Sequence, residues 1–177
     1  MSERTTNILK AAGVVALLLV AVLFIASRIN RAGRTGEEDL TVWFYDQSEQ
    51  ELYPAPRNAV PPHKGVGGPS GDGVRAVVVA APEQQSDAGA RRIAYLETYT
   101  PELKALIERV LEARASGLPC EETLPPRDSD FYQKNTLVRR AEDSDWYDTT
   151  TPQALRIMSE WRGWRSNDGQ SLVVCVP

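Results

Sequence analysis

The longest apolar stretch of the chain lies near its start: residues 11–27 are 17 positions without a charge, among them Val14, Val15, Leu17, Leu18, Leu19, Val20, Val22, Leu23, Phe24 and Ile25. A helix lying on a soluble core shows polar residues every third or fourth position, and this run has none. Counted over 8–27, with Lys10 reaching the interface, a helix of this length spans roughly 30 Å, the thickness of a bilayer's hydrocarbon core. The pattern predicts one transmembrane helix at 8–27, containing Ala11, Gly13, Leu18 and Phe24, behind a short tail at 1–7. A cleaved signal peptide fits less well, because Phe24 and Arg28 spoil the small-residue pattern that cleavage requires. Residues 28–39 form a polar hinge in which Gly33 and Gly36 do not continue a helix cheaply.

Beyond the hinge the pattern changes to short elements, and a domain is expected over 40–177. Thr41, Val42, Trp43, Phe44 and Tyr45 are β-branched or aromatic, residues 46–50 are polar, and Leu52 and Tyr53 resume the apolar pattern, which predicts a hairpin ended by Pro54 and Pro56. Between 54 and 73 lie five prolines and five glycines, a density that predicts a long exposed loop. Residues 74–81 (VRAVVVAA) are a continuous apolar run that predicts a strand buried on both faces.

Asp87 is placed to cap a helix through Tyr99 with Ala90, Ile93, Ala94 and Leu96 on its apolar side. Thr100, Pro101 and Glu102 mark a second helix start: a capping hydroxyl, a proline in the first turn and an acid at the positive end of the dipole. Leu103, Leu106, Ile107, Val110 and Leu111 then recur with helical spacing until Gly117 and Pro119. A strand is expected at 135–141, a third Thr-Pro helix carries Leu155, Met158 and Trp161, and a closing strand occupies 171–176. The fold predicted is α+β, with a mostly antiparallel sheet of about five strands and about three helices on one face.

Charge separates the two regions. Residues 1–34 hold five basic residues and one acid, whereas the other 143 hold 15 basic and 23 acidic residues, a net −8. Such a domain is poorly suited to a polyanion, so nucleic acid is not an expected partner. Basic residues flank the apolar run on both sides. The brevity of its N-terminal tail, which would stay in the cytoplasm, favours a membrane protein with the domain outside, on the periplasmic side.

Little of the chain suggests chemistry. With one histidine and two cysteines, most zinc sites and histidine-based triads are excluded. His63, in Pro61-Pro62-His63-Lys64, has no fixed neighbour to orient it as a base. Gly68 and Gly73 have the spacing of a phosphate-binding loop, but Val74 stands where a lysine is needed, Pro69 removes an amide donor, and the loop leads into a strand rather than a helix. A flexible connector is the reading this favours.

Cys120 and Cys175, 55 positions apart, would suit a disulfide in an exported domain and two free thiols in a reducing compartment. The acids Asp128, Asp130, Glu142, Asp143, Asp145 and Asp148 lack the spacing of a calcium-binding loop. No catalytic, cofactor-binding or metal-ligating residue is therefore assigned, and no cofactor is expected. Trp43, Tyr45, Trp146 and Tyr147 are candidates for an interaction surface, with core packing as the plainer account.

The apolar run, Val42-Trp43-Phe44-Tyr45-Asp46 and the segment Tyr95-Leu96-Glu97-Thr98-Tyr99-Thr100-Pro101-Glu102 together resemble a group of uncharacterised bacterial single-pass membrane proteins. The similarity covers residues 8–110 and implies an anchor followed by a hairpin and a helix junction; it implies no activity. A pilin would need a Gly-aromatic processing site and a glutamate five residues into the mature helix, and the sequence from Gly13 to Leu18 supplies neither. The function expected is that of a membrane-anchored, non-enzymatic protein, a protein-interaction or structural subunit of a cell-envelope assembly with an unidentified protein partner. The alternatives are an exported domain or enzyme handling a small ligand or cation through the acidic loops around Asp128 and Asp145, and a pilin-like assembly subunit.

Overall fold

A computed structural model describes residues 40–177 other than 68–70, 118, 120 and 121. The domain runs from Thr41 to Pro177. Its strands are β1 (Thr41–Asp46), β2 (Glu51–Pro56), β3 (Gly73–Ala80), β4 (Arg92–Tyr99), β5 (Thr136–Arg139), β6 (Tyr147–Asp148) and β7 (Val173–Val174). Its α-helices are α1 (Pro101–Ser116), α2 (Asp130–Lys134) and α3 (Pro152–Glu160). The sheet order is β2-β1-β3-β4-β5-β6, and β7 pairs with β3. Every pairing is antiparallel. β1 occupies the first half of one edge of β3 and β7 the last two residues of the same strand.

Strand alternation sorts the side chains into two layers. Trp43, Val74, Ala76, Val78, Ala80 and Leu96 form one buried cluster with Cys175, joined by Tyr45, Leu52, Ile93, Ala141 and Trp146. Phe44, fully buried, faces the other way. On its side Tyr99 packs with Val60 and with Leu103 and Ile107 of α1. Val79 and Ala94 pack there with Val77, Tyr95, Leu172, Trp161 and Trp164. A register shift between Val77 and Val78, whose partners are Tyr95 and Ile93, makes this sorting possible. The extra residue turns both Ala94 and Tyr95 to one side and returns Ile93 to the other.

Thr100 caps α1 as the sequence predicts: its Oγ1 accepts from Leu103 N, and Gly117 ends the helix at φ +65°. Thr151 caps α3 in the same way. The hairpin is longer than expected. Pro54 and Pro56 lie within β2 rather than beyond it, opposite Trp43 and Thr41. An edge strand tolerates the missing N–H groups.

The helix expected over 87–99 is corrected. Asp87 does cap, accepting from Gly89 N, but it caps a single 3-10 turn at Ala88–Ala90, and 92–99 is the central strand β4. Pairing with both β3 and β5 satisfies this segment's backbone on two sides, and that outweighs a helical spacing half of whose apolar positions are alanines. The short helix α2 is not among those expected, so among the described residues the count of three α-helices stands with a different membership.

Two further corrections concern the fold as a whole. The sheet has seven strands rather than about five. Among the described residues no helix is long and apolar enough to cross a membrane. The span expected at 8–27, with Ala11, Gly13, Leu18 and Phe24, lies outside the described residues, as do the tail at 1–7 and the hinge at 28–39.

Candidate functional site

The most organised polar cluster gathers where β1 ends. Asp46 closes the strand opposite Glu51 and Gly73, and its side chain is fully buried. Its Oδ1 accepts from Ser48 N at 3.0 Å, Ser48 Oγ at 2.9 Å and Glu49 N at 3.0 Å. Its Oδ2 accepts from Val66 N at 2.7 Å. These donors, the Glu49 amide foremost, hold the carboxyl at about 2 against a desolvation that pushes the other way. Asp46 is thus a permanent anion whose lone pairs are engaged by the hairpin turn and by the loop that follows β2.

Over its described residues 57–67, that loop is fastened at several points. Lys104 of α1 donates to Pro62 O at 2.8 Å and pairs with Glu108 at 2.8 Å. Arg75 of β3 donates to Arg57 O and Ala59 O while pairing with Glu97 at 3.3 Å. Tyr53 Oη donates to Lys64 O at 3.0 Å. Burial first, then the charges of Asp46 and Asp72, push the Tyr53 phenol up and keep it a donor. His63 and Gly73 exchange backbone hydrogen bonds of 2.7 and 2.9 Å, and the imidazole packs edge-on against Phe44 at 6.0 Å. Val60 and Pro61 are buried. The glycine-rich stretch expected as a flexible connector is held at Val66 and at Gly73, and its middle, residues 68–70, lies outside the described residues.

Two glycines are required by close approach. A Cβ at Gly65 would lie 2.1 Å from Asp46 Oδ2 and 2.7 Å from Asp72 Oδ1, so the two carboxylates flank a residue without a side chain. A Cβ at Gly73 would lie 2.0 Å from Tyr53 Oη. Ser48 Oγ stands 2.9 Å from Asp46 Oδ1 and 2.5 Å from Asp72 Oδ2, so its one proton serves either acid. The contacts shown for this cluster tie the hairpin turn to the loop. Asp46 has no free lone pair facing solvent, and among the described residues no group of three or more His, Cys, Asp or Glu side chains could hold a metal ion.

The residues singled out from sequence fall elsewhere. Trp43, Tyr45 and Trp146 are brought together in one cluster, Trp43 buried and the other two half-buried. Arg91 lies over the Trp43 ring at 4.8 Å and Arg139 over Trp146 at 4.9 Å. Tyr147, half-buried, pairs with Val138. The acids are dispersed among local partners: Asp143 pairs with Arg140, Asp148 accepts from Thr150 N, and Asp130 sits in the first turn of α2. Cys175 is a buried free thiol, whereas Cys120 lies outside the described residues.

Sequence reasoning did not single out Ser48, Tyr53, Gly65, Val66 or Asp72 as site residues. The Asp46-Gln47-Ser48 triplet, whose carboxylate bonds two residues on, is the one local signal that was present. Set against known proteins, the chain matches no family model, no curated protein and no solved structure.

Proposed function

We propose that the domain is a non-enzymatic protein-recognition module whose contact surface is the clamped segment 57–67, with Val66 at its exposed tip. The observation that carries this reading is the contrast at one residue: the Val66 amide is locked into Asp46 while its side chain is 55% exposed. An apolar side chain held out on a rigid backbone costs little entropy when it is buried by a partner. Exposed Lys64, Gly67 and Glu49 surround it with the polar rim usual at protein contacts. Engagement of Asp46 on both oxygens supports a structural over a catalytic role. The proposal includes the expected setting, a subunit of a cell-envelope assembly outside the cytoplasm, which rests on the brevity of the tail before the apolar run.

The test is site-specific photo-crosslinking in cells of the full-length chain, with the probe at Val66 or, as a control, at Leu155, which is equally exposed at 54% on α3. A discrete protein adduct from position 66 and none from 155 is expected. No adduct at 66, or the same adduct from both positions, overturns the proposal.

A further inference from the structure

Away from the loop, the segment between β3 and β4 and the turn before β7 line a half-open surface cavity of about 360 Å³. Its polar lining comprises Gln84, Asp87, Arg92, Arg165, Ser166 and Asn167. Both walls are built. On one side are the 3-10 turns Pro82–Gln84 and Ala88–Ala90. On the other, Arg165 bridges Ser171 and Ser166 N donates to Gln170 O at 2.9 Å, with Gly169 supplying the φ of +76° that the reversal needs. Gln170 Nε2 reaches across to Glu83 Oε1 at 2.5 Å.

Arg92 and Arg165 are both exposed, and each guanidinium already has a partner within the fold. Arg92 stacks over the Trp164 ring at 4.3 Å. Arg165 Nη1 donates to Arg162 O at 3.1 Å and Trp164 O at 2.8 Å, which leaves its Nε and Nη2 without partners among the described residues. Such donors suit a carboxylate or phosphate fork. The lining also holds one acid: Asp87 Oδ1 accepts from Gly89 N at 2.9 Å, and the other oxygen is left to accept. Within the lining, two guanidiniums and one carboxylate leave a single positive charge, and Glu83 at the rim adds a further acid, so a monoanion is favoured over a phosphate dianion that would face both carboxylates. Ser166 Oγ already accepts from Gln170 N, so its own proton is available, and Gln84 and Asn167 add amide donors and acceptors suited to hydroxyls.

We propose that this cavity binds a small hydroxylated monocarboxylate of the uronic-acid type, its carboxylate on Arg165 and Arg92 and its hydroxyls on Asp87, Ser166 and Asn167. The volume suits one monosaccharide unit. The site shares no residue with the Val66 loop, so either reading can fail without the other.

The test is calorimetric titration of the full-length chain with glucuronate, glucose and inorganic phosphate. Glucuronate is expected to bind saturably, at least about tenfold more tightly than either of the others. Arg165→Gln and Arg92→Gln should each weaken it about tenfold. Because Arg165 also ties the turn, Gly89→Val provides a second handle. A Cβ there meets only Asp87 Oδ1, at 3.4 Å, so the backbone has room for a side chain; with a melting curve that shows the variant folded, the valine should obstruct the cavity and abolish binding. Absence of saturable glucuronate binding, equal affinity for phosphate or glucose, or unchanged binding by a folded Gly89→Val variant overturns the proposal.

Discussion

Val66 donates its backbone N–H to Asp46 Oδ2 at 2.7 Å, tying the end of β1 to a loop 20 residues further along the chain. Three more hydrogen bonds from Ser48 and Glu49 complete the carboxylate's shell, and they exist only with the anion or weaken sharply on protonation. Asp46→Asn keeps the shape but puts an N–H₂ where one oxygen must accept. It should lower the melting temperature by several degrees near neutral pH and loosen the loop, seen as faster amide exchange at Val66.

The same carboxyl sets a pH dependence. Its folded value, about 2, lies below the ordinary 3.8, so the folded state binds its proton later than the unfolded state does. The contribution is therefore complete above the ordinary value and is lost as pH falls towards the folded one. Melting curves of parent and Asp46→Asn should converge between roughly pH 4 and pH 2. Parallel curves through that range would contradict the assignment.

Thr100 carries two bonds at the start of α1: its Oγ1 accepts from Leu103 N at 3.4 Å and donates to Asn135 Oδ1 at 2.6 Å, joining the helix to the residue before β5. Thr100→Ala should cost about 1 kcal/mol in urea unfolding, the usual loss for a cap, and Thr100→Ser should recover most of it. Thr151→Ala is the comparison at α3, where Oγ1 accepts from Ala154 N and donates to Asp148 O.

What was legible in the sequence was local. Thr100-Pro101 and Thr151-Pro152 announce helix starts, and the apolar run at 74–81 announces a central strand, because each signal is written within a few residues. What was not legible depends on partners far along the chain. Residues 92–99 are extended because β3 and β5 lie on either side of them, and residues 57–66 are clamped because Arg75, Lys104 and Asp46 come from three other elements. Proline and glycine density shows that a segment lacks regular structure; it does not show that the segment is loose. Gly65 and Gly73 serve close approach to Asp46, Asp72 and Tyr53, a reason invisible in composition. The aromatics Trp43, Tyr45 and Trp146 were legible as a group but not as a group sharing one cluster beneath two arginines.

Arg140 grips Glu160 with a fork, Nε to Oε1 at 2.6 Å and Nη2 to Oε2 at 2.7 Å, linking the residue after β5 to the end of α3. The hydrogen bonds from Arg140 hold the Glu160 carboxyl below its ordinary range. Both side chains keep about a quarter to a third of their surface in solvent, 24% and 32%, so Glu160→Gln should cost only about 1 kcal/mol. Double-mutant analysis with Arg140→Gln would check it, and because the folded carboxyl is depressed, the coupling should fade as pH falls below the ordinary glutamate range.

Cys175 sits 3% exposed among Trp43, Val78 and Ala80, and its Sγ lies 3.8 Å from Val173 O. Burial pushes the thiol up, only partly offset by Arg91, so the reactive thiolate is scarce near neutral pH. In a Cys120→Ser chain the remaining thiol should resist a water-soluble thiol reagent in the native state and react fully once urea unfolds the domain. The two valines before it form β7 on the flank of β3, so labelling should track opening of that strand rather than surface exposure. Rapid labelling without denaturant would mean that β7 and the buried cluster beneath it open readily in the native protein.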